Sequence, residues 1–195
     1  MPRQTPNRWS QWAAAGWLFC LAGLWPCPVQ AADLRPTRYE ARAAFLLNFA
    51  RYVEWPKETF AHDASPVVLG VLGGDEDLKD IRIIDKQRVK DKRNLEVRRL
   101  KSFQEARTCH MLFIGPSEAG NLDHTLRVLQ SLPVFTVGEF GGFLERGGIL
   151  NLVPIPGPAK EQSLLRWEIN LPAAMNARLR LDPELLRLAR RVVKP

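Results

Sequence analysis

The sequence predicts a single α/β domain with a mostly parallel, buried sheet and helices on both faces. Short apolar runs that end at glycine alternate with segments of helical composition, which is typical of a covered parallel sheet. The runs lie at 67–74, 110–115 and 134–138. Two further strands, 148–154 and 164–170, flank a proline-rich connection and are expected to form an antiparallel pair near the C-terminus. The 195 residues, 46% hydrophobic and 25% charged, suit one globular domain.

Composition and turn residues predict the elements of the first half. Residues 39–53 lack glycine and proline and are rich in Ala, Leu and Phe, so they predict a helix. Residues 77–85 are expected to be helical, and residues 94–100 alternate in the manner of a strand. A short helix is expected to begin at Ser102, where Glu105 stands at capping-box spacing.

Capping residues predict three helices in the second half. Asn121 is placed to cap a helix that runs through Leu132. Asn170 is placed to cap the next helix, which proline opens. Asp182 followed by proline and glutamate starts a final helix, whose apolar side is expected to extend to Val192.

Residues 1–31 have the layout of a cleaved signal peptide. Arg3 and Arg8 precede an apolar run of about 13 residues, and small residues occupy the −3 and −1 positions of a cut after Ala31. That run is shorter than the roughly 20 residues that span a bilayer, although an uncleaved anchor is the alternative. The sequence therefore predicts an exported protein with a short linker at 32–38 and a domain at 39–193.

Charge and cysteine content narrow the classes of partner. Removing residues 1–31 takes away two arginines and no acid, so the formal net charge falls from +7 to +5. A mildly basic exported chain favours an acidic partner or anionic lipid and does not favour nucleic acid. Cys109 is the one cysteine beyond the signal peptide, so no intramolecular disulfide is expected. A buried inert thiol is the first interpretation, and a redox or intermolecular role is the second.

Motifs of the common catalytic and metal sites do not occur. H-E-x-x-H, C-x-x-C, G-x-S-x-G and the phosphate-binding P-loop pattern are missing from the sequence. The histidines His62, His110 and His124 fall on separate predicted elements. The sequence therefore predicts no metal, no cofactor and no catalytic residues, and favours a binding or regulatory protein over an enzyme.

The turn at Gly73-Gly74 lies where a doubly wound fold binds phosphate. Asp75, Glu76 and Asp77 follow it directly and would repel a phosphate. They also lack the spacing of a calcium loop. A solvated turn is the expected structure, while the carboxyl edge of the sheet remains a general place for a small ligand.

The first predicted helix has two apolar sides when its residues are projected at about 100° each. One stripe is aliphatic and comprises Ala43, Leu46, Leu47, Ala50 and Val53. The other is aromatic and comprises Phe45, Phe49, Tyr52 and Trp55. Either the helix is buried centrally, or the aromatic side meets a second protomer or a partner, because aromatic residues are enriched at interfaces.

Five blocks of sequence resemble one known family in order and spacing. They are "EARAAFLLNFARYVEWP", "VLGVLGGD", "CHMLFIGPSE", "TVGEFGGFLERGGILNLV" and "RWEINLPAAMNARLRLDPELLRLARRV". Over about Tyr39 to Val193 the chain is similar to the YfiR-like family. Two departures are the single remaining cysteine and a connection, "PIPGPAKEQS", that looks longer than usual.

The resemblance implies a periplasmic, non-enzymatic regulator. Such a protein binds the periplasmic part of a membrane diguanylate cyclase of the YfiN type and lowers cyclic-di-GMP synthesis, the signal that promotes biofilm. It also implies sequestration by an outer-membrane lipoprotein of the YfiB type, and a homodimer.

Two segments are the candidate contact surface. The first carries Phe49, Tyr52 and Trp55, and the second is the loop Glu139–Gly148 with Phe143, Glu145 and Arg146. The aromatic residues would act as desolvated anchors, and the charged pair would add polar specificity. A small-molecule sensor with a pocket at the sheet edge, and an unrecognised hydrolase, are the alternative functions.

Overall fold

The computed structural model describes residues 38–90, 93–156 and 163–195. The predicted signal peptide lies outside the described residues, as do the linker up to residue 37 and the middle of the proline-rich connection. Within the described part, nine strands are present: β1 Val53–Glu54, β2 Val67–Leu72, β3 Leu95–Arg99, β4 Met111–Ile114, β5 Phe135–Gly138, β6 Leu150–Pro156, β7 Ser163–Asn170, β8 Arg180–Leu181 and β9 Arg191–Val193.

Five α-helices and four short 3-10 helices connect these strands in the described part of the chain. The α-helices are α1 Arg38–Tyr52, α2 Asp75–Ile81, α3 Leu122–Val128, α4 Leu171–Asn176 and α5 Pro183–Arg187. The 3-10 helices are Lys57–Thr59, Arg82–Ile84, Glu105–Thr108 and Pro116–Asn121.

The main sheet has seven strands in the order β3-β2-β4-β5-β6-β7-β9. All neighbouring pairs run parallel except β6 and β7, which form an antiparallel hairpin. This arrangement confirms the predicted fold class, including the antiparallel pair near the C-terminus. The strand order reverses between β2 and β4, which is where open α/β sheets place a ligand beyond the carboxyl ends of their strands.

The core has two parts, one on each face of the sheet. On the first face α1, α2 and α5 pack through side chains such as Leu46, Ile81 and Leu185. On the second face the cover is thinner and comes from the 3-10 helix at Glu105–Thr108, from α3, and from the loop that follows β5. Both faces are covered because parallel strands of this kind are apolar on both sides.

The C-terminal helix is shorter than the sequence predicts. The start of α5 is confirmed, since Asp182 Oδ1 accepts a hydrogen bond from the Glu184 N–H at 2.8 Å. The extension to Val192 is wrong, because Arg191–Val193 forms β9 beside β7. Paired β-branched side chains favour a strand at this position over another helical turn.

The caps and ends of the other helices agree in part with the predictions from the sequence. Asn170 caps α4 as predicted, and its Oδ1 accepts from the Ala173 N–H at 3.0 Å. Asn121 makes no side-chain cap, and α3 ends at Val128, before the predicted Leu132. The short pair β1 and β8 was not predicted; it fixes the chain just before Trp55 by pairing Val53 with Leu181.

Candidate functional site

An ion cluster fills the carboxyl edge of the sheet. Arg42 of α1 is 4% exposed. Its Nη1 donates to Asp77 Oδ1 at 3.0 Å and to Glu139 Oε2 at 3.1 Å, and its Nη2 donates to Asp80 Oδ2 at 3.0 Å. We call these four residues the carboxyl-edge cluster. Their side chains fill the place between the ends of β2 and β4 where this type of fold commonly binds a ligand.

The glycine turn of this edge cradles a carboxylate. The Gly74 N–H donates to Asp77 Oδ2 at 3.2 Å. A Cβ at Gly73 would lie 2.7 Å from that oxygen, and a Cβ at Gly115 would lie 2.5 Å from it. The two glycines therefore make room for Asp77 where a nucleotide-binding protein of this fold would admit a phosphate.

An open cleft lies at the opposite, amino edge of the sheet. It has a volume of about 760 Å³ and begins where β2 and the segment after β1 meet. We call it the amino-edge cleft, and its lining comprises Ala50, Val53, Glu54, Trp55, Lys57, Phe60, Ala61, His62, Asp63, Val67, Val89, Lys90 and Arg93. Its size lies within the range of clefts that hold small molecules or protruding side chains.

His110 packs against two residues that line this cleft, Trp55 and Phe60. Its Nδ1 accepts a hydrogen bond from the Val68 N–H at 3.0 Å, and its Nε2 lies 3.4 Å from the Thr59 carbonyl oxygen. Because Nδ1 is the acceptor, the proton of the neutral ring is on Nε2, which faces Thr59. Burial lowers the pKa of His110, and the nearby cations Arg93 and Arg98 lower it further against the raising effect of the Thr59 bond.

Trp55 is half-buried beside His110. The Trp55 Nε1–H donates to the His110 carbonyl oxygen at 2.9 Å. The two rings are nearly perpendicular, with centroids 6.2 Å apart. The N–H group of Trp55 therefore has its hydrogen-bond partner inside the protein, and the rest of the indole lines the cleft as an apolar surface.

A three-layer stack forms another wall of the cleft. The Phe60 ring lies 4.4 Å from the His110 ring at an angle of 10°. The Arg93 guanidinium lies 3.7 Å from the centre of the same Phe60 ring. Two planar groups at these distances occupy opposite faces of the phenyl ring. Arg93 Nη1 also donates to the carbonyl oxygens of His62 at 3.0 Å and Ser65 at 2.8 Å, so the guanidinium is held in place.

Two predicted contact residues belong to the core. Phe49 is 1% exposed and Phe143 is 0% exposed, so the interpretation of these rings as surface anchors is wrong. Phe49 lies about 60° around the helix from Leu46, which puts it on the buried side. Phe143 is the ring against which both Gly138 and Gly148 close, since a Cβ at either would lie within 2.5 Å of it.

The other two aromatic residues of the first segment reach the surface. Tyr52 is 36% exposed at the end of α1, and its carbonyl oxygen accepts from the Asp182 N–H at 2.9 Å. Tyr52 does not line the amino-edge cleft, whereas Trp55 does. Trp55 lies beyond the end of α1, so a helical projection does not apply to it.

Glu145 and Arg146 are exposed, and each has an ionic partner. Glu145 Oε1 accepts from Arg191 Nη2 at 2.8 Å, and this bond holds the pKa of Glu145 below its usual value. Arg146 Nε donates to Asp123 Oδ1 at 2.7 Å, which lowers the pKa of Asp123. Arg146 lines a second, more polar pocket that shares no residue with the amino-edge cleft. Trp55 of the first predicted segment and Arg146 of the second therefore line separate pockets.

Cys109 is a free, buried thiol on the second face of the sheet. Burial raises its pKa to about 11, partly offset by Arg98. At neutral pH the thiol stays protonated and is a poor nucleophile.

Sequence reasoning missed the stack that shapes the cleft. Phe60, Arg93 and His110 come from three separate segments, and only the folded chain brings them together. Among the described residues there is no group of three His, Cys, Asp or Glu side chains that could hold a metal ion. In the same part of the chain, every helix is too short or too polar to cross a membrane.

These features define an α/β domain with a filled carboxyl edge and an open amino edge. A family model described as YfiR/HmsC-like matches residues 39–190, so the chain belongs to the YfiR/HmsC-like family. This family is regulatory and non-enzymatic, and it is associated with periplasmic control of cyclic-di-GMP signalling. No curated protein matches the chain.

Two solved structures match the chain at low sequence identity. A conserved domain protein from Vibrio cholerae O1 biovar eltor has a TM-score of 0.53 and 10% identity over 80% of this chain. This chain covers 60% of that protein's length, and the likeness shows the fold alone. The ABC domain in complex with L-Trp from Streptococcus pneumonia has a TM-score of 0.49 and 13% identity, covering 65% of this chain and 55% of that one.

Proposed function

We propose that this protein is an exported regulator that binds the periplasmic part of a membrane diguanylate cyclase of the YfiN type and lowers cyclic-di-GMP synthesis. The observation that carries the proposal is membership of the YfiR/HmsC-like family over residues 39–190. In the same proposal a lipoprotein of the YfiB type sequesters the regulator, and the working form is a homodimer.

Two features of the structure support action by contact. The carboxyl-edge cluster fills the place where this fold would bind a nucleotide, and Arg42 lies at its centre. The amino-edge cleft, in contrast, presents Trp55, Phe60 and cationic side chains to solvent. Aromatic residues and arginine are enriched at protein–protein interfaces, and Trp55, Phe60 and Arg93 all line this cleft.

The test compares two forms of the chain in cells that lack the chromosomal copy. The full chain should lower cellular cyclic-di-GMP, measured by mass spectrometry, and should crosslink in intact cells to a membrane protein with a cyclase domain. The control form lacks residues 1–31 and should do neither, because it stays inside. Equal activity of both forms, or a crosslinked partner without a cyclase domain, would contradict the proposal.

A second candidate function is a small-molecule sensor, and the volume of the amino-edge cleft favours it. Its site is at the amino edge, since the carboxyl edge is filled by Arg42 and its partners. A periplasmic metabolite that binds should raise the melting temperature of the purified protein. A metabolite screen with no shift counts against this function.

A further inference from the structure

We infer that the amino-edge cleft is the docking surface of this regulator, and that it receives an acidic segment of the partner that carries a large apolar side chain. This inference rests on the proposed function, because the partner is the membrane protein that the regulator controls. It adds which surface makes the contact and which chemistry the partner presents.

The apolar part of the cleft fits an anchoring side chain. Trp55 and Phe60 form walls, and Val67 and Val89 add aliphatic surface. Both valines are buried. A side chain that enters a rigid aromatic cleft loses water from most of its surface, which is the setting of most binding hot spots.

The charged part of the cleft favours an acidic occupant. Lys57, Lys90 and Arg93 line it, together with the acids Glu54 and Asp63. The Glu54 carboxylate is shared, because Lys90 Nζ lies 3.6 Å from one of its oxygens and Arg180 Nε lies 4.0 Å from the other. Three cations against two acids leave the lining with one net positive charge, so an acidic segment is the complementary partner.

The rim of the cleft extends this positive character. Arg51 of α1 is exposed and its Nη2 donates to the Arg88 carbonyl oxygen at 3.0 Å, next to the lining residue Val89. Positive side chains around an apolar centre should steer an acidic segment into the cleft and make binding weaker in high salt.

The walls are set before a partner arrives. Trp55 is fixed by its bond to the His110 carbonyl, and Arg93 is fixed by two carbonyl oxygens. Phe60 is held between the His110 ring and the Arg93 guanidinium. A preformed surface does not lose side-chain freedom on binding, which increases the affinity available from a small contact.

The exposed charges Glu145 and Arg146 suit docking less well. Glu145 is bonded to Arg191 and Arg146 to Asp123, so a partner would have to replace existing ion pairs. Exchanging one exposed ion pair for another changes the binding free energy little. The amino-edge cleft combines apolar walls with excess positive charge and is the stronger docking surface.

Two pairs of variants of the full chain test the inference. Ala61 lines the cleft and is exposed, so Ala61→Trp places a bulky ring at its mouth; the control is Ala64→Trp, on an exposed residue of the same loop outside the lining. Lys57→Glu reverses a charge of the cleft; the control is Lys79→Glu on an exposed lysine of α2. Copurification with the membrane cyclase, cellular cyclic-di-GMP and melting temperature are measured for each.

Ala61→Trp and Lys57→Glu should each weaken cyclase binding at least tenfold and raise cyclic-di-GMP, with melting temperatures close to the unmodified chain. Both controls should bind and repress normally. If both cleft variants still bind and repress, or if the controls lose binding equally, the docking inference is overturned while the proposed function stands. If the unmodified chain itself neither binds a cyclase nor lowers cyclic-di-GMP, the proposed function fails, and this inference falls with it.

A small organic anion is the other occupant that these charges could attract. Native mass spectrometry of the purified full chain distinguishes the two. A bound small anion that is lost in Lys57→Glu and retained in Lys79→Glu would overturn the acidic-segment assignment. If the unmodified chain, Lys57→Glu and Lys79→Glu all show the mass of the protein alone, and cyclase binding is lost as described above, the acidic-segment assignment is supported.

Discussion

The two edges of the parallel sheet are built in opposite ways. At the carboxyl edge three carboxylates surround the buried guanidinium of Arg42, and glycines close around Asp77. At the amino edge the chain leaves an open cleft between Trp55, Phe60 and Arg93. The edge that this fold usually gives to ligands is structural here, and the opposite edge is available for recognition. Substitutions at the first edge should therefore affect stability, and those at the second should affect binding.

The largest expected effect is at Arg42. Arg42→Ala leaves the carboxylates of Asp77, Asp80 and Glu139 together without their cation, and should lower the free energy of unfolding by about 3–5 kcal/mol. Urea unfolding measures this change. Arg82→Ala, which removes an exposed arginine two residues after Asp80, is the control. A loss at Arg42 no greater than at Arg82 would show that the carboxyl edge is not held by this cluster.

The next effect is at Gly115. Gly115→Ala places a methyl group 2.5 Å from Asp77 Oδ2, so the carboxylate must move out of its cradle. We expect a loss of about 1–3 kcal/mol in the free energy of unfolding, as in other overpacked sites. Gly120→Ala is the matched control, because a Cβ there meets nothing within 4 Å. Thermal or urea unfolding should leave the control within about 0.5 kcal/mol of the unmodified chain.

A smaller, pH-dependent effect is expected at the amino edge. Burial puts the folded pKa of His110 below its ordinary 6.5, so the unfolded chain takes up this proton first as the pH falls. The contribution of His110 is fully present above about pH 6.5 and is lost as the pH falls from there through the folded pKa. One proton limits the slope to about 1.4 kcal/mol per pH unit.

Urea unfolding of the unmodified chain and of His110→Asn between pH 8 and pH 5 checks this expectation. Asparagine can accept the Val68 N–H but does not titrate. Its slope across this window should be shallower than that of the unmodified chain. Equal slopes would show that other groups account for the pH dependence.

The smallest effect on stability is expected at Lys57. Lys57→Ala removes an exposed cation and should change the free energy of unfolding by less than about 0.5 kcal/mol. If docking occurs in the cleft, the same substitution should still weaken cyclase binding. Calorimetric melting together with copurification separates the two quantities. A large loss of stability at Lys57 would make the amino edge structural as well and remove the contrast between the edges.

Local patterns in the sequence were enough to predict the main parallel sheet and most helix starts. Apolar runs stopped by glycine located β2, β4 and β5, and the caps at Asn170 and Asp182 were correct. These features depend on residues that are close together in the chain, so hydrophobic periodicity and capping residues are enough to predict them. The apolar runs are unbroken because β2, β4 and β5 are buried on both faces of the sheet.

The candidate site was harder to predict from the sequence because segments that are distant in the chain form it. Phe49 lies three residues after Leu46, so helical spacing places both on the buried side of α1, and the predicted separate aromatic stripe was wrong for Phe49. Phe60 and Arg93 could not have been paired from spacing, since the sheet brings them together. The final helix was predicted to extend to Val192 because the edge of β7, which residues 191–193 join, is a tertiary feature.

The outermost strands decide how two copies of this protein can associate. β9 is three residues long, and Arg191 on it bridges Glu145 and Glu168 beside the edge of β7. At the other end of the sheet, β3 carries Glu96, Arg98 and Arg99. Short or charged edges resist the addition of a strand from another chain. If two copies of this protein associate, they should do so through side-chain surfaces, with the two sheets remaining separate, and the sheet edges should resist strand-to-strand aggregation.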